Sequence, residues 1–138
     1  MKDYMKEATL KDLEIQWNDH FHMRDQTWKV LSNSILLFLG VIALELKGIA
    51  DLVMIPSYST VVFLSYYGWK VATHHRLRQG EKFAIIKKEE ELLGIYELKR
   101  DILERRGVEA IYTAKFIEGM QVVIGLIGTI LLLRRIMT

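Results

Sequence analysis

The chain has no cysteine, so disulfides and thiol chemistry are excluded and the redox compartment cannot be read from cysteine usage. Proline is almost as scarce. The one residue, Pro56, leaves the long charged block from His74 to Lys115 without a helix breaker. There is no phosphate-cradling glycine loop, no nucleophile elbow and no zinc-type ligand cluster, so no catalytic constellation stands out and an enzyme is not expected. The N-terminus lacks a basic region followed by an apolar core, and no cleaved signal peptide is expected. The net charge of +2 is mild, so only the local distribution of charge is informative.

Hydrophobic residues nevertheless make up 51% of the 138 positions, beside 26% charged ones. A protein lying wholly in lipid would not carry that much charge, so apolar blocks must alternate with water-facing blocks. The clearest apolar block is Phe116 to Leu133. As a helix rising about 1.5 Å per residue it is long enough to cross a hydrocarbon core of about 30 Å. Arg134 and Arg135 at its end suit a headgroup boundary. At helical spacing Glu118, Gln121, Gly125, Gly128 and Thr129 share one side of it, opposite Val, Ile and Leu. A carboxylate facing lipid is costly, and glycines let another backbone come close.

Two further spans are expected. Trp28 to Leu46 opens on an interfacial Trp28–Lys29 pair, is interrupted by Ser32, Asn33 and Ser34, and ends at Glu45 and Lys47. The polar interruption suits either bonding across helices or lining a water path. Leu52 to Val71 carries Pro56 in its first turns and an aromatic belt of Tyr66, Tyr67 and Trp69 before Lys70. The block from His74 to Lys115 holds ten Lys and Arg residues, against only Lys47 in the turn between the first two spans. The positive-inside bias places that block and the N-terminus in the cytoplasm, with the C-terminus outside.

The soluble segments read as helices. Leu10, Leu13, Trp17 and Phe21 make one apolar stripe, either on the membrane surface or packed on the chain's own cytosolic helices. Its acidic neighbours favour packing. His20, His22 and Asp25 are metal-ligand types, but His20 and His22 do not share a helix face, and a polar helix end before the membrane accounts for them. The block from His74 to Lys115 must fold back to return to Phe116. Gly94 is the expected corner, between arms Val71–Leu93 and Ile95–Lys115. Phe83, Ile86, Leu93, Tyr96 and Leu103 form a thin predicted seam. The expected architecture is therefore all-α: a cytosolic N-terminal helix at 1–27, transmembrane helices 1 and 2 at 28–73, a cytosolic helical hairpin at 74–115 and transmembrane helix 3 at 116–138.

Two groups of residues are candidate sites. His74, His75, Arg76, Arg78 and Lys82 could hold a phosphate or nucleotide by charge-assisted bonds, or could anchor the second span at anionic headgroups. Ser32, Asn33, Glu118, Gln121, Gly125 and Gly128 are candidate pore or helix-packing positions, with Glu118 pairing with Lys115 or joining a ring of carboxylates in an oligomer. No cofactor and no metal is expected. The layout, with WNDHFHMRDQTWK leading into the first span and HHRLRQGEKFAIIKKEEELLG after the second, resembles the small membrane effectors of bacterial anti-phage systems, both the Hailong type and the SLATT group of helical-hairpin effectors. The resemblance implies a homo-oligomeric membrane effector whose ion channel is gated by a DNA oligomer or nucleotide signal made by a partner nucleotidyltransferase. A non-conducting scaffold that recruits a cytosolic partner is the alternative.

Overall fold

The computed structural model describes residues 3–137, apart from the side chains at 3, 98 and 103. These residues form three helices, α1 (Asp3–Leu46), α2 (Asp51–Leu92) and α3 (Tyr96–Met137), with no strand among the described residues. With 44, 42 and 42 residues, each helix is about 65 Å long. The polar N-terminal segment and the first apolar stretch are thus one unbroken helix. The same holds for the second stretch with the first hairpin arm, and for the second arm with the third stretch.

Both corners are built alike. Gly48 has φ 68° and Gly94 has φ 72°. At the first corner Ile49 N–H returns to the Leu44 carbonyl at 3.4 Å, and at the second Ile95 N–H returns to the Glu90 carbonyl at 3.0 Å. A left-handed glycine followed by such a back-bond caps the orphan carbonyls of the last turn and reverses the chain. Gly94 is the corner expected from the sequence.

A seven-residue period holds the three helices together. On α1 the buried residues Leu13, His20, Thr27, Ser34 and Val41 follow it. On α2 it runs through Tyr58, Ser65, Ala72, Gln79 and Ile86, and on α3 through Ala110, Ile117 and Ile124. This is the spacing of a left-handed helical bundle with interlocking side chains. Along α1 and α2, Tyr58 O–H donates to Glu45 near one end, Thr27 meets His75 midway, and Lys82 pairs with Asp19 beyond it. On the other side of α2, Val61 lies against Gly128, Ser65 against Gly125, Gly68 against Gln121, and Arg76 against Glu118. Every pair steps forward on one helix and back on the other, so both interfaces keep one antiparallel register with α2 in the middle.

The bundle has an apolar half and a charged half. Leu31, Val41, Met54, Tyr58, Val61, Ala72, Ile117 and Ile124 form the core of the first. Leu13, Ile86 and Tyr96, with Trp17, Leu93 and Ile95 against them, form the smaller core of the second. The N-terminal part of α1 covers the hairpin seam, as expected. Its stripe is rotated, however: Leu10 and Phe21 are exposed while His20 and Met23 are buried. Phe83 is half-buried against Trp17, and the Leu103 side chain lies outside the described residues. At the apolar end Arg135 of α3 reaches Glu45 of α1 at 3.3 Å and Asp51 of α2 at 2.6 Å. Arg135, expected as a headgroup anchor, ties the ends of all three helices together.

Two helices, α1 and α3, carry apolar stretches long enough to cross a membrane. In α2 the stretch is diluted by Ser57, Tyr58, Ser59, Thr60, Ser65, Tyr66 and Tyr67. A central helix tolerates these residues. Tyr58 and Ser65 turn inward, and the Ser59 and Thr60 hydroxyls each donate to a carbonyl one turn back at 2.9 Å.

The seat of Gln121 on Gly68 yields a direct test. A Cβ on Gly68 would stand 2.4 Å from Gln121 Nε2 and 2.6 Å from its Cδ, and Gln121 is only 1% exposed, so it has no room to swing aside. Gly68→Leu should lower stability in detergent by about 1–3 kcal/mol through overpacking. Gly40→Leu, at a site with nothing within 4 Å, should not. Equal thermal midpoints for the two variants would contradict the packing described.

Candidate functional site

The basic run of α2 is not one open patch. His75 faces α1, where the Thr27 hydroxyl donates to the Met23 carbonyl at 2.8 Å and so accepts the His75 Nδ1–H. Arg76 faces the other way and binds Glu118 of α3 through Nε at 2.7 Å. Lys82 pairs with Asp19. Only His74 and Arg78 of the five candidates stand in the open. Successive residues of a helix point about 100° apart, so a run this compact is divided among three directions.

The second candidate group also separates. Gln121, Gly125 and Gly128 are turned toward α2, where a Cβ on Gly125 would meet Ser65 at 3.3 Å and one on Gly128 would meet Val61 at 3.1 Å. The glycine side, expected to let another backbone come close, is occupied inside the chain by α2. Glu118 pairs with Arg76 of α2, neither with Lys115 nor turned outward to form a ring. Ser32 and Asn33 do face outward. Counting from the Thr27–His75 contact, Asn33 comes level with Trp69 and Lys70, where the Lys70 ammonium lies 5.8 Å from the Tyr66 ring and 5.7 Å from Trp69. The two polar residues lie at the height of this aromatic cluster, face outward and do not line the bundle interior.

A different site emerges between α1 and α3. In the charged half these helices stand apart and leave a groove, with adjoining cavities of about 390 and 330 Å³. Its α1 wall carries Trp17 and Phe21, with ring centroids 5.8 Å apart and planes at 27°. Arg24 lies over Phe21 at 5.3 Å, Arg106 stands on the α3 lip, and Lys99 closes the hairpin end. His20 is 4% exposed at its base and its Nδ1 has no hydrogen-bond partner, and the buried Glu90 lines the hairpin end. Glu109 is the acidic lining residue on the α3 side, and Arg105 pairs with it at 3.3 Å. Aromatic rings, arginines on both walls and the unspent His20 nitrogen at the base suit a planar, anionic guest. The sequence reading missed this groove because its residues come from helices far apart in the chain. The one local signal was Trp17 and Phe21 one turn apart with Arg24 beyond them.

Electrostatics set the protonation of the surrounding charged half. Burial, reinforced by the Arg24 charge, lowers the His20 pKa. Burial, with the nearby His74 and Arg78 charges, lowers that of His75 against the opposing Met23 carbonyl. Burial raises Glu90, with Lys99 and the Trp17 indole pulling the other way. On the α1–α2 seam, burial and then the facing Asp12 carboxyl push Glu89 up to about 7 from 4.5.

The sign of the Glu89 effect follows from linkage. The folded state holds a proton that the unfolded chain releases above pH 4.5, so this stabilisation is complete below that value and is lost as the pH rises through about 7. His20 and His75 act oppositely, gaining stability as the pH rises toward 6.5. The stability of wild type relative to Glu89→Gln isolates the carboxyl, and should decline between pH 4.5 and about 7 in thermal melts. A flat or rising difference would contradict the raised Glu89 pKa.

Compared with known proteins, the chain matches no family model, no curated protein and no solved structure.

Proposed function

We propose that the chain is a three-span protein of the bacterial inner membrane. In this reading it acts as an oligomeric effector whose ion-conducting pore, formed between copies, responds to a nucleotide or oligonucleotide bound in the cytosolic α1–α3 groove. The observation that carries the reading is continuity. The helices that wall the groove, α1 and α3, run unbroken into the apolar half, so a guest that changes their spacing at one end acts directly on their packing at the other.

The membrane placement is supported by an inversion of polarity. In the apolar half Leu36, Phe63, Leu126 and Ile130 are 59–68% exposed, whereas Ser34, Ser65 and Gln121 are at most 3% exposed. Water would favour the reverse arrangement; a hydrocarbon solvent favours this one. The interior of one bundle is filled, with Gln121 seated on Gly68, so conduction requires several copies. The role in anti-phage defence, with a nucleotidyltransferase as source of the signal, rests on the resemblance of the layout. The second reading, a non-conducting scaffold, is favoured by apolar side chains exposed in the charged half, among them Leu77, Leu92, Ile102 and Tyr112.

The groove is tested by titrating a short DNA oligomer into the full chain in liposomes. Arg24→Glu with Arg106→Glu should weaken binding about tenfold or more and flatten its salt dependence, while Arg78→Glu, outside the groove, should leave it close to wild type. The reverse order of effects would return the site to the exposed face of α2. Ligand-dependent conductance in planar bilayers supports the pore. Bilayers that stay silent with and without the oligomer would favour the scaffold.

A further inference from the structure

The outer face of the hairpin carries a second groove, between α2 and α3 and away from α1. It has a volume of about 470 Å³, a floor of Phe83, Ala84 and Gly107, and an apolar lip where Val108 and Ile111 are 52% and 38% exposed. A Cβ on Gly80, one turn below Ala84, would meet nothing within 4 Å. Beside Phe83, the α2 side of the floor therefore offers only Ala84 and, one turn below, Gly80, and is open to the approach of another helix.

We infer that this groove is the contact between two parallel copies of the chain, related by a two-fold axis that runs along the bundle.

The charges at its lips fit a second copy of the chain. The α2 lip presents Lys87 and the α3 lip Glu104. One turn nearer the hairpin corner, beyond the groove's lining, come Glu91 on α2 and Arg100 on α3, the latter 3.4 Å from Glu97 and 3.9 Å from Asp101 of its own helix. Glu91 lies 4.0 Å from Lys87, the Glu104 charge acts on Lys87, and all of these groups are at the surface. The two helices run antiparallel from Gly94, so Lys87 and Glu104 stand at one height and Glu91 and Arg100 at another. A two-fold axis along the groove brings the α2 lip of one copy against the α3 lip of the other at equal height. Lys87 then faces Glu104 and Glu91 faces Arg100, and each pairing occurs twice. An antiparallel copy would instead set Lys87 against Glu91 and Glu104 against Arg100, so the charges fit a second copy in either sense and the membrane decides between them. Parallel alignment is what a shared membrane orientation imposes, and in this respect the inference rests on the membrane reading proposed above. Exposed ion pairs contribute little stability by themselves, so they set register and partner choice while the apolar floor and lip supply the attraction. The arrangement leaves the α1–α3 groove of each copy open on the opposite side.

A charge-swap experiment on the full chain in detergent and in liposomes tests the contact. Lys87→Glu sets like charges opposite each other across the axis, and so does Glu104→Lys, so either variant alone should lose the dimer. Coexpressed under different tags, the two variants should copurify as a mixed dimer, because in the mixed pair both junctions again join opposite charges. Wild-type mass for each variant alone, or no recovery on mixing, overturns the proposal. Circular dichroism checks that both variants fold. If either does not, Ala84→Cys and Val108→Cys in separate chains provide a test that leaves the charges intact, since the chain has no cysteine of its own. Mild oxidation should link the two chains, whereas Asn33→Cys, on the outer face of α1, should not link to itself. Self-linking at Asn33 without any link between positions 84 and 108 would move the contact to α1. Loss of conductance or oligomer binding in a chain that still dimerises counts against the proposed function and leaves the contact standing.

Discussion

The structure depends on a single constraint: α2 must accept a neighbour on both sides in one register along its whole length. That requires small or inward-turned polar residues where a diluted apolar span would otherwise seem a weakness. Gly68 makes room for Gln121, Ser65 faces Gly125, and Tyr58 reaches Glu45. Helices also satisfy their own backbone groups, the one open-ended arrangement that works equally in water and in lipid. Three unbroken helices can therefore pass from a charged environment to an apolar one without a joint. The corners are confined to the two ends, at Gly48 and Gly94.

The two ends of the bundle are closed differently. The Arg135–Glu45–Asp51 cluster joins all three helices at the apolar end. In the charged half, α1 is held to α2 through Thr27–His75 and Asp19–Lys82, while α1 and α3 part to form the groove. A structure tied at one end and divided at the other is suited to convert occupancy of the groove into a change in helix spacing. The Arg76–Glu118 bridge lies between these regions, at the level where the charged half gives way to the apolar half.

Much of the fold was legible because it depends on local signals. Gly94 was placed correctly since a chain returning to Phe116 needs a corner there and glycine alone accepts its dihedral angles without strain. The seven-residue core pattern was not legible. On α1 it runs Leu13, His20, Thr27, Ser34, Val41, and three of those five are polar, so an apolar-periodicity reading settled on the neighbouring stripe ending at Phe21. Candidate sites fared worse for a physical reason. For Glu118 the sequence shows Lys115 one turn away and permits a ring of carboxylates between copies, whereas Arg76, across the bundle on α2, is not visible in it. The glycine side of α3 was read correctly as a close-packing surface, but sequence does not state whether the approaching backbone belongs to the same chain. The aromatic–arginine groove was invisible because it exists only once α1 and α3 are aligned.

The central claim is that the apolar half crosses a membrane with the hairpin and the Gly48 corner on opposite sides. A chain without cysteine permits a clean measurement of this. Lys47→Cys and Lys88→Cys, made singly, can be labelled with a membrane-impermeant thiol reagent in right-side-out and inverted vesicles. The account predicts labelling of position 47 only from outside and of position 88 only from the cytoplasmic side. Labelling of both from the same side, or recovery of the protein in the soluble fraction, would contradict it.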